Sequence, residues 1–170
     1  CFKVGLYKQG LLHDMSKYSP TEFWVGAKYY QGTRSPNNAE REDIGYSSAW
    51  LHHKGRNKHH YEYWIDYSMQ ALPGGMAPVP MPDKYIAEMI MDRIAASKVY
   101  MGDEYTDRSP LDYYYQGTDR APIHPETKAK LLYVLEMLAE EGEEKTFRFI
   151  KEELVQHKRC MDWHQLEKAE

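Results

Sequence analysis

Apolar residues recur along most of the chain at intervals of three and four, the spacing of one face of an α-helix. The strongest example spans residues 83–101, where apolar residues cover most sides of the predicted helix, as in a helix at the centre of a core. A second series, through Leu131, Leu135 and Leu138, begins at His124-Pro125 and is stopped by Gly142. We therefore predict two long core helices in the second half of the chain.

Capping and breaking residues divide the remainder into shorter predicted elements. Ser19, Pro20 and Glu22 form a capping box with proline at the first helical position, which predicts a helix over residues 20–30. Further helices are predicted over residues 2–15, 40–53, 58–68 and 143–157. The proline-rich segment 71–82 and the tyrosine-rich segment 102–123 are predicted to be irregular, with one helical turn after Ser109-Pro110.

No segment alternates apolar and polar residues as a half-buried strand does, so no strand is predicted. A length of 170 residues, or 20.1 kDa, suits one domain with a single core. We therefore predict an all-α, single-domain helical bundle. Residues 2–142 carry the motifs described below, and residues 143–170 form a C-terminal helix and tail.

Composition narrows the classes of function. The net charge of −4 and pI near 6.1 argue against a protein that mainly covers nucleic-acid phosphates, and no apolar run reaches the length of a membrane span. Cys1 and Cys160 are too few for a disulfide framework, so we expect a cytoplasmic protein. The chain opens at Cys1 without methionine, inside a predicted helix, so we expect further residues upstream.

Histidines and aspartates stand at the ends of the predicted helices. His13-Asp14 closes the first, His52-His53 closes the third, and His59-His60 opens the fourth, where the helix dipole favours a neutral imidazole. Asp92 lies in the apolar helix, where a carboxylate needs a cation.

Each of these features alone has an ordinary structural interpretation. A histidine near a helix end caps or packs, and a buried aspartate pairs with an arginine from another helix. One coordination site explains all of them together, and we predict that it holds one or two divalent transition-metal ions. The ligand types do not distinguish Mn, Fe, Co, Ni and Zn.

The order His-Asp, His, His and Asp along successive helices resembles the HD superfamily of metal-dependent phosphohydrolases, and His13 to Lys17 is similar to its His-Asp-x-x-Lys motif. The closest resemblance is to an HD-like family of bacteria and phages that is a domain of unknown function. It rests on segments 10–14, 16–18, 50–53, 56–60, 62–64 and 92–93, and extends from Phe2 to about Gly142.

The resemblance implies roles for these residues. His13 and Asp14 match the paired ligands, with Asp14 able to bridge two ions, and Asp92 matches the terminal ligand. The pairs His52-His53 and His59-His60 match the extra ligands of two-metal members, and His53 and His60 are the preferred members. HD proteins also supply a histidine from a preceding helix, and no histidine precedes His13 here.

Basic residues suggest the substrate. Lys17, Lys54, Arg56 and Lys58 cluster around the proposed ligands in an acidic chain, which favours an anionic, phosphate-containing small molecule, although each side chain alone is also typical of a solvated turn. Lys17 matches the motif lysine, so the resemblance assigns catalysis to Lys17 and Asp14.

Three functions follow as expectations. The first is a phosphohydrolase that acts on a nucleotide or another small phosphate ester through a metal-activated water. The second is a di-iron oxygenase, because HD-fold oxygenases have the same ligand order. The third is a non-catalytic metal- or nucleotide-binding module, which the missing upstream histidine favours.

Overall fold

The structure of the protein is a computed structural model that describes residues 1–32, 34–69, 75–117, 120–158 and 163. Its α-helices, in chain order, are α1 (Tyr7–Leu12), α2 (Pro20–Tyr29), α3 (Pro36–Ile44), α4 (Ser48–Lys54), α5 (Asp83–Met101), α6 (Ser109–Tyr115) and α7 (Pro125–Phe149). Short 3-10 helices cover Phe2–Val4, Met15–Tyr18, Tyr61–Trp64 and Gly102–Glu104, and a π-helix covers Ile150–Val155. The protein is therefore mostly helical, as predicted.

The core lies among α5, α6, α7 and the π-helix, which pack against one another. Ile86, Ile90 and Ile94 recur every four residues on α5 and are buried with Leu131 and Leu135 of α7. Burial of each such side chain contributes about 1.5–3 kcal/mol to stability. The predicted central helix over residues 83–101 is confirmed, and it gives the cluster described below a rigid support.

A smaller layer consists of α2, α3 and α4. The predicted helix over residues 20–30 is confirmed, with the Ser19 hydroxyl accepting a hydrogen bond from the Glu22 backbone N–H at 3.4 Å. The helix predicted over residues 40–53 is wrong as one element, because Gly45 (φ 84°) takes a left-handed conformation that ends α3. Ser47 then caps a new helix, α4, by accepting a bond from Trp50 N–H at 3.0 Å.

Three other sequence predictions are corrected. The helix predicted over residues 2–15 is broken at Gly5, whose φ of 87° ends the 3-10 helix Phe2–Val4. Residues 58–68 form a turn, the 3-10 helix Tyr61–Trp64 and strand β1 (Ile65–Tyr67) instead of a helix. The prediction of no strands is also wrong, because β1 pairs antiparallel with β2 (Met76–Pro78), Asp66 opposite Ala77.

Strand β2 lies inside the proline-rich segment that was predicted to be irregular, of which residues 71–74 lie outside the described residues. The single helical turn expected after Ser109-Pro110 is the longer helix α6. The break predicted at Gly142 is a kink within α7 (φ 79°, ψ 174°), and a Cβ added there would lie 3.4 Å from Asp107 Oδ2. No helix in the described part of the chain is long and apolar enough to cross a bilayer.

A buried lysine joins the beginnings of the two long core helices. Lys130 Nζ lies 2.7 Å from Asp83 Oδ1 on α5 and 2.6 Å from Glu126 Oε1 on α7, and its side chain is 5% exposed. Lys130→Met should lower the free energy of unfolding by about 3 kcal/mol, because it leaves two carboxylates without their shared cation. Urea unfolding followed by circular dichroism measures this loss.

Lys145→Met is the matched control, because Lys145 is exposed and its one ion pair within the described part of the chain is with Glu141 on the same helix. Its expected effect is below about 1 kcal/mol. Equal effects of the two substitutions would contradict a structural role for the buried ion pair.

Candidate metal centre

Six of the sequence-predicted residues meet where α1, α4, α5 and the turn before Tyr61 come together. The backbone of Asp14 adopts φ 56° and ψ 20°, a left-handed conformation that aspartate and asparagine tolerate better than most residues. It lies directly between α1 and the 3-10 helix Met15–Tyr18. This sharp turn allows His13 and Asp14, although adjacent, to contribute to the same cluster.

His53 comes from the last turn of α4, where its side chain is buried. The beginning of α4 is fixed by Glu40, which accepts hydrogen bonds from the hydroxyls of Ser47 and Ser48, each at 2.6 Å. This buried carboxylate therefore holds in place the helix that carries His53.

His59 and His60 lie in a turn that precedes the 3-10 helix Tyr61–Trp64. The helix-dipole argument for these two histidines is therefore wrong, because no α-helix begins there. Burial and the neighbouring rings fix them instead: His59 is 2% exposed, and the His59 and His60 ring centroids lie 4.2 Å apart.

The first group that could hold a cation consists of Asp14, His53, His59 and His60, whose ligand atoms all lie within 4.8 Å of one another. Asp14 Oδ1 lies 3.2 Å from His53 Nε2 and 3.4 Å from His59 Nε2, and His53 Nε2 lies 2.9 Å from His60 Nε2. Two imidazole nitrogens that face each other at this distance either share one proton or direct both lone pairs at one cation.

The second group consists of His13, Asp14 and Asp92. His13 Nε2 lies 3.1 Å from Asp92 Oδ1 and 3.6 Å from Asp14 Oδ2. The two oxygens of Asp14 therefore face different groups of ligand atoms. This second group is the more open one, because the side chains of His13 and Asp92 are 23% and 31% exposed.

Two atoms of the cluster lack the partners that buried polar atoms normally have. Asp14 Oδ1 and His59 Nε2 are buried, and neither makes a hydrogen bond to any described residue. A buried polar atom without a hydrogen-bond partner destabilises the fold. A carboxylate oxygen and an imidazole nitrogen that lie 3.4 Å apart can both be satisfied by coordinating one divalent transition-metal ion. The residues present therefore fit a metal ion at this point.

Two glutamates that were not predicted from the sequence accept hydrogen bonds from the Nδ1 atoms of His53 and His13. Glu22 Oε2 accepts from His53 Nδ1 at 2.8 Å, and Glu88 Oε1 accepts from His13 Nδ1 at 3.1 Å. A carboxylate on Nδ1 leaves Nε2 as the nitrogen with a free lone pair, the usual arrangement around histidine ligands of metals.

A third group that could hold a cation combines Glu88 with His13 and His59. It competes with the other two groups, because each neutral imidazole has one lone pair, and the Nε2 lone pairs of His13 and His59 face the Asp14 side. Glu88 therefore acts as a hydrogen-bond acceptor in this arrangement rather than as a ligand.

The electrostatics of the cluster follow from these contacts. Hydrogen bonds to Asp92 and Glu88 raise the pKa of His13 to about 10. Burial, together with the charges of His59 and His53, lowers the pKa of His60 to about 3. Burial favours the neutral form of Asp14, but the neighbouring His53 imidazole and Lys17 ammonium outweigh this effect, so the pKa of Asp14 is well below its usual range.

His52 is the predicted ligand that the structure does not bring into the cluster. Its Nδ1 lies 2.6 Å from Glu22 Oε1, on the opposite oxygen from His53, and it belongs to none of the three groups. The structure therefore separates the members of the first pair, since only His53 lies with Asp14, whereas both members of the second pair, His59 and His60, lie with Asp14.

Of the four basic residues predicted to bind substrate, the structure places Lys17 in contact with the cluster. Lys17 Nζ lies 2.5 Å from Asp14 Oδ2 with its side chain 63% exposed, so it is beside the cluster. Arg56 donates to the His52 carbonyl at 3.3 Å, and Lys58 Nζ lies 5.6 Å from the Tyr63 ring centroid. Lys54, in the last turn of α4, forms no ion pair with any described residue.

The fold and the site together define a mostly helical protein with a buried histidine and carboxylate cluster that could hold a metal ion. The chain belongs to a family of unknown function, DUF5662, whose model matches residues 1–137. The matched range includes every residue of the cluster, from His13 to Asp92. Searches of curated proteins and of solved structures found no match to the chain.

Proposed function

We propose that this protein is an HD-type, metal-dependent phosphohydrolase that acts on a nucleotide or another small phosphate ester. The observation that carries the proposal is that two groups of candidate ligands, one with His13 and Asp92 and the other with His53, His59 and His60, share the carboxylate of Asp14. This is the ligand set that the resemblance to the HD superfamily implies. The divided contacts of the Asp14 oxygens support a site for two ions.

The side chains have distinct roles in this proposal. A divalent ion in the cluster would supply a Lewis acid and a water whose pKa is lowered toward neutrality. The buried His53 and His59, with the half-buried His60, would hold one ion, whereas His13 and Asp92 border solvent, where a substrate can enter. Lys17, beside Asp14, binds phosphoryl oxygens and stabilises the negative charge that grows on them during hydrolysis.

Metal content and hydrolysis are measured together on the purified protein. Elemental mass spectrometry should find close to two equivalents of a transition metal, and p-nitrophenyl phosphate, bis-p-nitrophenyl phosphate and nucleoside monophosphates should reveal hydrolysis. Iron with oxygen consumption and no phosphate release would favour the di-iron oxygenase instead. Metal without any turnover would favour a metal-binding module, and no metal after reconstitution would contradict both enzymes and make the histidine pairs structural.

Lys17→Ala should retain the metal and lower kcat for phosphate-ester hydrolysis by about 10- to 100-fold, because Lys17 acts on the substrate and is not a ligand. Steady-state kinetics on the metal-loaded variant measure the loss. Lys8→Ala, which removes an exposed lysine from α1, is the control and should leave kcat unchanged. A Lys17→Ala variant with undiminished kcat would show that Lys17 is only a surface charge.

A further inference from the structure

We propose that Glu88 is the residue that positions the imidazoles of both groups of candidate ligands. It contacts His13 of the open group (His13, Asp14 and Asp92) and also His59 of the buried group (Asp14, His53, His59 and His60). The inference rests on the metal site proposed above. It adds a residue that neither the sequence motifs nor the family match assigns.

A single oxygen makes both contacts. Glu88 Oε1 lies 3.1 Å from His13 Nδ1 and 3.4 Å from His59 Nδ1. The two rings lie side by side, with centroids 4.5 Å apart and planes tilted by 34°. A carboxylate oxygen has two lone pairs, so it can accept from both rings while their Nε2 atoms face Asp14.

The second oxygen of Glu88 is fixed as well. Gln9 Nε2 donates to Glu88 Oε2 at 2.8 Å and to the Lys84 carbonyl at 3.1 Å. Both hydrogens of the Gln9 amide are therefore engaged, one on the carboxylate and one on the α5 backbone. Gln9 belongs to α1, so this pair of bonds ties the helix that precedes His13 to α5.

The backbone beneath Glu88 is rigid. Glu88 stands one helical turn before Asp92 on α5, and its neighbours Ala87, Met89 and Ile90 are buried in the core. The same helix therefore supplies a candidate ligand, Asp92, and the acceptor that orients two imidazoles. The core of the protein thus sets the geometry of the cluster.

Glu22 provides the contrast that makes this role testable. It contacts His52 and His53, and of these only His53 belongs to a group that could hold a cation. Loss of Glu22 should affect the buried ion position alone. Loss of Glu88 should affect both, because the histidines it holds lie in different groups.

The test uses cobalt(II) as the probe and compares Glu88→Gln and Glu22→Gln with the wild type. Cobalt stoichiometry and affinity come from visible absorption titrations in competition with a chelator. We expect Glu88→Gln to weaken both binding events by about 10- to 100-fold and Glu22→Gln to weaken one of them. Glu136→Gln, on the exposed side of α7, should bind cobalt as the wild type does.

Two further measurements separate positioning from folding. The circular dichroism spectrum of Glu88→Gln without cobalt should match that of the wild type, although its unfolding midpoint falls because the protonated His13 loses one of its two carboxylate acceptors. The absorption spectrum of its cobalt complex should change shape. Gln9→Ala should weaken binding by a few-fold in the same direction, because it frees one oxygen of Glu88. It tests the proposal even where Glu88→Gln does not fold.

The proposal is overturned by a Glu88→Gln variant that binds two cobalt ions with wild-type affinity, or by one whose loss of affinity affects a single ion, as in Glu22→Gln. A wild-type protein that binds no cobalt would instead contradict the metal site itself. The two failures are therefore distinct.

Discussion

Asp14→Asn is expected to abolish binding of both metal ions and, with it, phosphate-ester hydrolysis. Asp14 is the one residue common to the buried and the open groups, and its two oxygens face different sets of imidazoles. The amide removes the negative charge and one of the two acceptor oxygens. We expect metal affinity to fall by more than about 100-fold, a larger loss than substitution of a residue that only positions a ligand.

Asparagine is chosen because of the Asp14 backbone. With φ at 56°, an alanine there is strained, whereas asparagine adopts the left-handed conformation readily. Loss of metal in Asp14→Asn therefore reports on the carboxylate rather than on a distorted turn. Elemental analysis and equilibrium dialysis measure the metal, and circular dichroism checks the fold.

Asp112→Asn is the matched control, since Asp112 is exposed and, among the described residues, its ion pair is with Arg108 at the N-cap of α6. It should keep the metal content and the hydrolysis rate of the wild type. Retention of two equivalents of metal by Asp14→Asn would remove Asp14 from the site.

Metal affinity is expected to rise steeply with pH, by about tenfold per pH unit between pH 6.5 and 8.5. The reason is His13, whose pKa is raised to about 10 by Asp92 and Glu88, so it carries a proton throughout this range. A metal ion must displace that proton before Nε2 can serve as a ligand. His60, with a pKa near 3, is already neutral and adds nothing to the slope.

The stability of the metal-free fold changes with pH in the opposite direction to metal affinity: it falls as the pH rises. Because the folded-state pKa of His13 lies above the unfolded value of 6.5, its protonation stabilises the fold fully below pH 6.5. That stabilisation is lost as the pH rises through about 10. Proton and metal thus compete for the Nε2 lone pair of His13, and alkaline pH favours the metal.

Calorimetry in two buffers of different ionisation enthalpy measures the protons released on metal binding. About one proton should be released as an ion enters the open group at pH 7. His13→Gln should remove this release and flatten the dependence of affinity on pH. A wild-type affinity that is independent of pH would contradict the protonated state of His13.

The sequence predicted the core more accurately than the first half of the chain. Ile86, Ile90 and Ile94 repeat with the period of a helix, so the bounds of α5 could be predicted because burial itself sets the pattern. The break between α3 and α4 was missed because Gly45 and Ser47 are also tolerated inside a helix. Only the left-handed φ of Gly45 ends α3 there.

The error in residues 58–68 has a different cause. Tyr61, Trp64 and Ile65 are compatible with either a helix or a strand, and strand β1 is set by its pairing with β2 across the intervening segment. Because the residues that pair with β1 lie in a separate segment of the chain, the sequence of β1 itself does not indicate a strand. The tertiary contact, rather than local propensity, determines this element.

The candidate metal ligands could be predicted from sequence, but the glutamates that orient them could not. His13, Asp14 and Asp92 carry a recognisable motif, whereas Glu22 was explained by a capping box and Glu88 had no motif at all. The spacing of Glu88, four residues before Asp92, was the available signal, because it places both on one face of α5. The resemblance favoured His53 over His52, and the structure places only His53 of that pair in a group that could hold a cation, as the orientation of α4 determines.

The wide separation of the cluster along the chain gives a bound ion a mechanical role as well as a chemical one. His13 and Asp92 are 79 residues apart in sequence, yet one ion between them would close that loop as a disulfide does. In the chain-entropy view, a cross-link of this span stabilises a fold by about 4 to 5 kcal/mol. Unlike a disulfide, such a cross-link would open when a chelator removed the ion, so a bound metal would add a reversible constraint to the contacts that Gln9 already makes between α1 and α5.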